Sequence, residues 1–144
     1  MGSASMGRVL TEATIENLRD LWECQAGRLP ADRVRCVTVS DALVDTGATG
    51  LSLPTRLINQ LGLVRRYQKQ ATSSSGVISV NVYEAVRLTI QGRDVTVDPV
   101  EVPDDVPVLI GQIPLEWLDL VPDPSSRRLI GNPAHGGEQI LELL

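Results

Sequence analysis

The chain has 144 residues and a mass of 15.6 kDa, enough for one hydrophobic core and too little for two. Apolar residues make up 42% and charged residues 22%, and no apolar run approaches the roughly 20 residues of a membrane helix. A net charge of -5 and an aromatic content of 3% without any Phe speak against nucleic-acid binding, which uses basic surface and stacking platforms. The core must then be built from Val, Leu and Ile.

Met1 to Gly7 reads as an expression scar or a disordered lead-in, with one domain spanning residues 8–144. No charged segment followed by an apolar one marks a secretory signal, so a cytoplasmic location is expected. Cys24, Cys36 and the single His135 are too few for a disulfide framework or a zinc shell. Two reduced thiols are expected, with no metal and no cofactor.

Arg8 to Asn17 alternates Val9, Thr11, Ala13 and Ile15 against Leu10, Glu12, Thr14 and Glu16, the period of a strand. Leu18, Leu21 and Trp22 have helical spacing, but Gly27 and Pro30 punctuate the segment to Arg33, which predicts a connection with one helical turn. Two β runs follow, Val34 to Val39 and Ala42 to Gly47. A short helix is expected from Pro54 to Gly62, facing the core with Leu57, Ile58 and Leu61. Gln68 to Ser75 and Val77 to Ile90 predict a hairpin around Gly76 whose second arm is one long strand. A second hairpin turns at Gln91-Gly92-Arg93. Pro99, Pro103 and Pro107 shorten the next strand, and Val108 to Gly111 forms another buried run. A second helix, Ile113 to Leu120, offers Leu115, Trp117 and Leu118 for packing. A last β segment, Arg128 to Asn132, leads past a surface histidine, His135, to Gln139–Leu144, an intersubunit strand or a frayed end. The sum is a mainly β domain with one or two short helices.

Ala42-Leu43-Val44 runs straight into Asp45-Thr46-Gly47-Ala48. An unpaired carboxylate is costly beside buried aliphatics, and a tight loop whose backbone N–H groups hold it offsets that cost. Gly47 permits such a loop. Asp-Thr-Gly is also a common turn by itself. Its companion is Val108-Leu109-Ile110-Gly111, which leads into the second helix, with the polar tip Ser73 to Gly76 between the two. Leu129-Ile130-Gly131 repeats the tripeptide, but no helix follows it and little chain remains.

In that order these residues resemble the retropepsin-like aspartic protease family, over roughly Val34 to Pro133. The resemblance implies a closed retropepsin-like β-barrel protomer that works as a homodimer on peptide or protein substrates, away from nucleic acid and membranes. Asp45 would be the catalytic carboxylate, Thr46 would brace the two active-site loops across the dimer, and Gly47 would leave room for substrate. Ser74, Ser75 and Gly76 would tip a flap over the peptide. Leu109, Ile110 and Gly111 would form the strand beneath the loop. The chemistry needs a water between two carboxylates about 3 Å apart, one ionised and one protonated. A single Asp-Xaa-Gly occurs here, so each chain would supply one Asp45 to an isologous dimer. A Ser or Thr at position 48 could donate a hydrogen bond to the ionised carboxylate; Ala48 cannot, which predicts an activity optimum at weakly acidic to neutral pH. The competing reading is a protease-shaped dimerisation or peptide-binding module with negligible turnover. The helix at Pro54 to Gly62 is closer to cellular and bacterial members than to viral ones. Leu18 to Arg33 and the long C-terminal tail have no counterpart in the minimal viral form.

Overall fold

The computed structural model describes residues 8–143; the expected lead-in at residues 1–7 lies outside them. β1 (Val9–Asn17) follows the predicted alternation, with Val9, Ala13 and Ile15 buried and Leu10 and Glu12 exposed. It runs antiparallel between β2 (Cys36–Val44) and β6 (Val86–Ile90), at the centre of the packed body. The remaining strands of the sheet are β3 (Leu51–Pro54), β4 (Arg65–Ser73), β5 (Gly76–Tyr83), β7 (Arg93–Val97), β8 (Val100–Val102) and β9 (Leu109–Ile110). Their order is β4-β5-β8-β3-β9-β2-β1-β6-β7. β10 (Leu120–Asp123) and β11 (Arg128–Gly131) form a separate antiparallel ribbon.

The expected closed barrel is corrected to a curled, open sheet. Closure requires the terminal strands to pair, and among the described residues β4 and β7 are both edges. Among the described residues β4 is exposed along most of its length and its one strand partner is β5, so it projects as an arm instead of completing a ring.

Among the described residues the buried core is built from Val, Leu, Ile and Ala with a few prolines, and Ile15, Leu53, Ile58, Leu88, Ile110 and Leu118 are fully enclosed. An α-helix over Thr55–Gln60 contributes Leu57 and Ile58 to this core, and Leu61 follows them inward, as its spacing predicts. Among the described residues, no helix is long and apolar enough to cross a membrane.

Three expectations change. Leu18–Gln25 is a full eight-residue α-helix, α1, so the described chain has three α-helices instead of one or two. With α1 as the first, Thr55–Gln60 is α2 and Gln112–Leu118 is α3. Local spacing hid the α1 anchors. Asn17 caps it by accepting from the Asp20 backbone N at 3.0 Å, while its own Nδ2 donates to the Leu61 carbonyl at 2.9 Å. Asp20 accepts from Arg35 N, Nε and Nη2 at 3.0, 2.8 and 3.0 Å, and these bonds hold its carboxyl below the usual range. The long strand predicted from Val77 to Ile90 breaks at Glu84-Ala85. There the Glu84 carboxylate accepts from the Val64 backbone N at 3.1 Å and pairs with Arg19 at 2.9 Å, which turns the chain between β5 and β6. Finally, Trp117 does not pack. α3 buries Pro114, Leu115 and Leu118, which leaves Ile113 and Trp117, four residues apart, on its outer stripe.

Candidate active site

β2 stops at Val44, and residues 45–50 arch over before returning as β3. β9 enters beneath that arch. It lies parallel to β2, with Leu43 opposite Leu109 and Val44 opposite Ile110, and antiparallel to β3, with Leu51 opposite Ile110. Asp45 N donates to the Ile110 carbonyl at 2.9 Å, and Gly111 N donates to the Gly50 carbonyl at 2.8 Å. Gln112 N and Ile113 N, the first donors of α3, reach the Ala48 and Thr49 carbonyls at 2.9 Å each. These amides would otherwise be unsatisfied at the helix start, so the arch supplies the acceptors that α3 lacks. A helix directly after Leu109-Ile110-Gly111 is therefore part of the loop's own support.

Gly111 is fixed by space. A Cβ there would stand 2.6 Å from both the Ala48 and the Gly50 carbonyl oxygens. Asp45 is half-buried at the end of β2, while Thr46 and Gly47 are exposed. Its Oδ1 accepts from Gly47 N at 3.0 Å, the single hydrogen bond of the carboxylate among the described residues. A Cβ at position 47 would lie 3.3 Å from the same oxygen, so glycine keeps the approach to the acid open. The result is an acid pinned by backbone at a rigid crossing, with one side facing out.

Residues 27–114, more than half of the chain, match a family model described as aspartyl protease, and both Asp45 and Gly111 fall inside the match. The chain belongs to the retropepsin-like aspartyl protease family. The membership carries peptide hydrolysis as its general activity. A search of the curated proteins gave no significant match.

In this aspartyl protease the sequence-predicted residues fall into two groups. Asp45, Thr46, Gly47 and Ala48 come together with Leu109, Ile110 and Gly111 in one hydrogen-bonded crossing. Ser74, Ser75 and Gly76 lie apart, at the tip of the β4–β5 arm, where Ser73 opposite Gly76 closes a two-residue turn. Ser73 organises that tip: its Oγ accepts from Ser75 N and donates to the Gly76 carbonyl, both at 3.2 Å.

Two clusters were not visible in the sequence. At the root of the arm, Glu101 on β8 accepts from Asn81 Nδ2 and Tyr83 Oη at 3.0 Å each and from Thr55 Oγ1 at 2.7 Å. The Asn81 and Thr55 bonds hold its carboxyl below the usual range. They tie β5, β8 and the start of α2 together, and nothing in Val100-Glu101-Val102 signals that role.

The second cluster lies behind α3. Asp119 has a left-handed backbone (φ 55) and a buried side chain that accepts from His135 Nδ1 at 2.6 Å, Asn132 Nδ2 at 3.1 Å and Ile140 N at 3.0 Å. The His135 bond foremost pulls the Asp119 carboxyl down to about 2, and Asp119 in turn raises the imidazole, with Glu142 adding to it. Arg93 donates to the Leu118 and Asp119 carbonyls at 3.0 and 2.8 Å and also to that of Gly137. His135 is thus not the surface histidine expected; it is the fastener of the C-terminal segment. The partners lie 16 residues apart in sequence, beyond any local pattern.

Proposed function

We propose that this protein is a homodimeric aspartic endopeptidase in which the Asp45 carboxylates of two copies share one catalytic water. The observation that carries this reading is the Asp45 arch itself: a carboxylate held by backbone, with its approach kept open by Gly47 and its base locked by Gly111. One carboxylate cannot both accept the proton of the attacking water and present a proton to the developing oxyanion, so a second acid is required. The ionised Asp45 takes a proton from water as the oxygen attacks the scissile carbonyl. The protonated Asp45 of the other copy hydrogen-bonds the forming oxyanion, and a proton then passes to the departing amine.

Thr46, exposed beside Asp45, braces the two arches across the dimer axis. The β4–β5 arm closes its Ser74-Ser75-Gly76 tip over an extended peptide and excludes water. The aliphatic surroundings favour apolar residues around the cut. Ala48 offers no hydroxyl to the ionised acid, so activity peaks at weakly acidic to neutral pH; a profile peaking below about pH 3, under the ordinary Asp value, contradicts this.

The test pairs solution mass with cleavage of a peptide library by the wild type and Asp45→Asn. The expected result is a concentration-dependent dimer whose cleavage is lost in the variant. Equal cleavage by both proteins overturns the mechanism. A dimer that binds peptides without cutting them identifies a binding module instead.

A further inference from the structure

The outer stripe of α3 is the least explained surface of the molecule. Ile113 is 47% exposed and Trp117 is 54% exposed, although burying either would be favourable. The stripe begins at the catalytic arch, because Ile113 N is bonded to the Thr49 carbonyl. It continues into the C-terminal segment, since Gln139 Nε2 donates to the Trp117 carbonyl at 3.2 Å and Ile140 N is held by Asp119. Exposed Ile140 and Leu141 follow directly. In chain order, exposed apolar residues therefore form a band that starts beside the Asp45 loop with Ile113, continues with Trp117 on α3 and resumes with Ile140 and Leu141 in the tail.

We infer that this band is where the second copy docks: the Ile113–Trp117 face of α3 packs against its own counterpart, with Ile140 and Leu141 at its margin. The inference rests on the two-subunit reading above and names its surface. A two-fold contact is self-complementary, so a patch that leads away from the Asp45 arch brings the two arches towards the same axis. On that reading the site is incomplete in one chain, and the exposed stripe of α3 starts where Ile113 N is bonded to the arch. Central aromatic side chains are the usual anchors of such contacts. The β1 strand cannot serve in this way, because it is hydrogen-bonded on both sides within its own sheet. The Asp119–His135 pair fastens the tail that carries Ile140, and so fixes the margin of the band before a partner arrives.

Sedimentation equilibrium of the full chain tests the surface, with Trp117→Asp against Trp22→Asp, a change at a 60% exposed residue on α1, well outside the band. Wild type and Trp22→Asp should dimerise alike, and Trp117→Asp should weaken the dimer by about 30-fold or more, the loss of one interface anchor. Its peptidase activity should return at high protein concentration. The two tryptophans give an independent reading that does not depend on a charged variant folding. In Trp22→Phe, the emission of Trp117 should shift to the blue as the dimer forms; in Trp117→Phe, the emission of Trp22 should not move. A dimer unaffected by Trp117→Asp, with Trp117 emission unchanged through dissociation, places the partner elsewhere and leaves the two-subunit reading intact. A wild type that stays monomeric while cleaving peptides overturns that reading, and the docking surface with it.

Discussion

Asp119 and Asp45 both stand where a secondary element ends, one after α3 and the other after β2. Asp119 is buried and accepts hydrogen bonds from His135, Asn132 and Ile140, so both oxygens of its carboxylate are engaged. Asp45 is half-buried and accepts one, from Gly47. The first arrangement spends an acid on holding chain segments together. The second holds the acid by its backbone and leaves the carboxylate free for a reaction. The difference lies in what the neighbours donate, not in the residue type.

Exchanging each acid for its amide should separate the two roles most sharply. Asp45→Asn is expected to lower kcat by about 10²–10⁴-fold, the range for removing a general acid or base, while its melting temperature stays near that of the wild type. Asp119→Asn should do the reverse: it lowers the melting temperature and preserves kcat once the folded protein is saturated with substrate. Thermal unfolding and initial rates on one peptide measure both.

Gly111→Ala tests the rigid base of the Asp45 arch. The added methyl meets the Ala48 and Gly50 carbonyls, so the variant should lose about 1–3 kcal/mol in urea unfolding, the cost of overpacking, together with its peptidase activity. Wild-type stability in this variant would show that the crossing is looser than its hydrogen bonds imply.

The Asp119–His135 pair also predicts a pH window. Asp119 sits at about 2 when folded against an ordinary 3.8, so its contribution is complete above about pH 4 and fades as the pH falls towards 2. His135 is raised from 6.5, so its contribution is complete below that value and is lost as the pH climbs through the raised one. The contribution of the pair to the melting temperature should thus be greatest between about pH 4 and 6.5. His135→Gln should flatten the alkaline side of the wild-type profile.

The smallest effect is expected at the root of the arm. Glu101→Gln keeps the shape but weakens the bonds to Asn81, Tyr83 and Thr55. With the arm as the flap, KM should rise about 2- to 10-fold, the worth of one net hydrogen bond, and kcat should hardly change. A matched fall in kcat would place Glu101 in the chemical step.

Several features were legible because they depend on neighbours in sequence. The alternation in β1 follows from a two-residue period, and the inward face of α2 follows from helical spacing. Asp-Thr-Gly followed by a distant Leu-Ile-Gly and a helix pointed to the crossing, because each part meets a backbone requirement of the other. Other features depended on partners far along the chain. α1 was underestimated because its cap rests on Leu61 and its acid on Arg35. The break after β5 came from Arg19, 65 residues from Glu84. The orientation of Trp117 followed from which face of α3 the core left uncovered.

Length and composition limited this chain to one aliphatic core, and it carries a single Asp-Thr-Gly, one carboxylate where the proposed mechanism uses two. Those statements rest on residue identity and short-range periodicity, which survive without coordinates. Tertiary structure decided that the sheet stays open, that His135 fastens the tail, and that Ile113 and Trp117 stay exposed on α3. Each of these is set by what packs or hydrogen-bonds across long loops, and no local pattern encodes which distant partner wins.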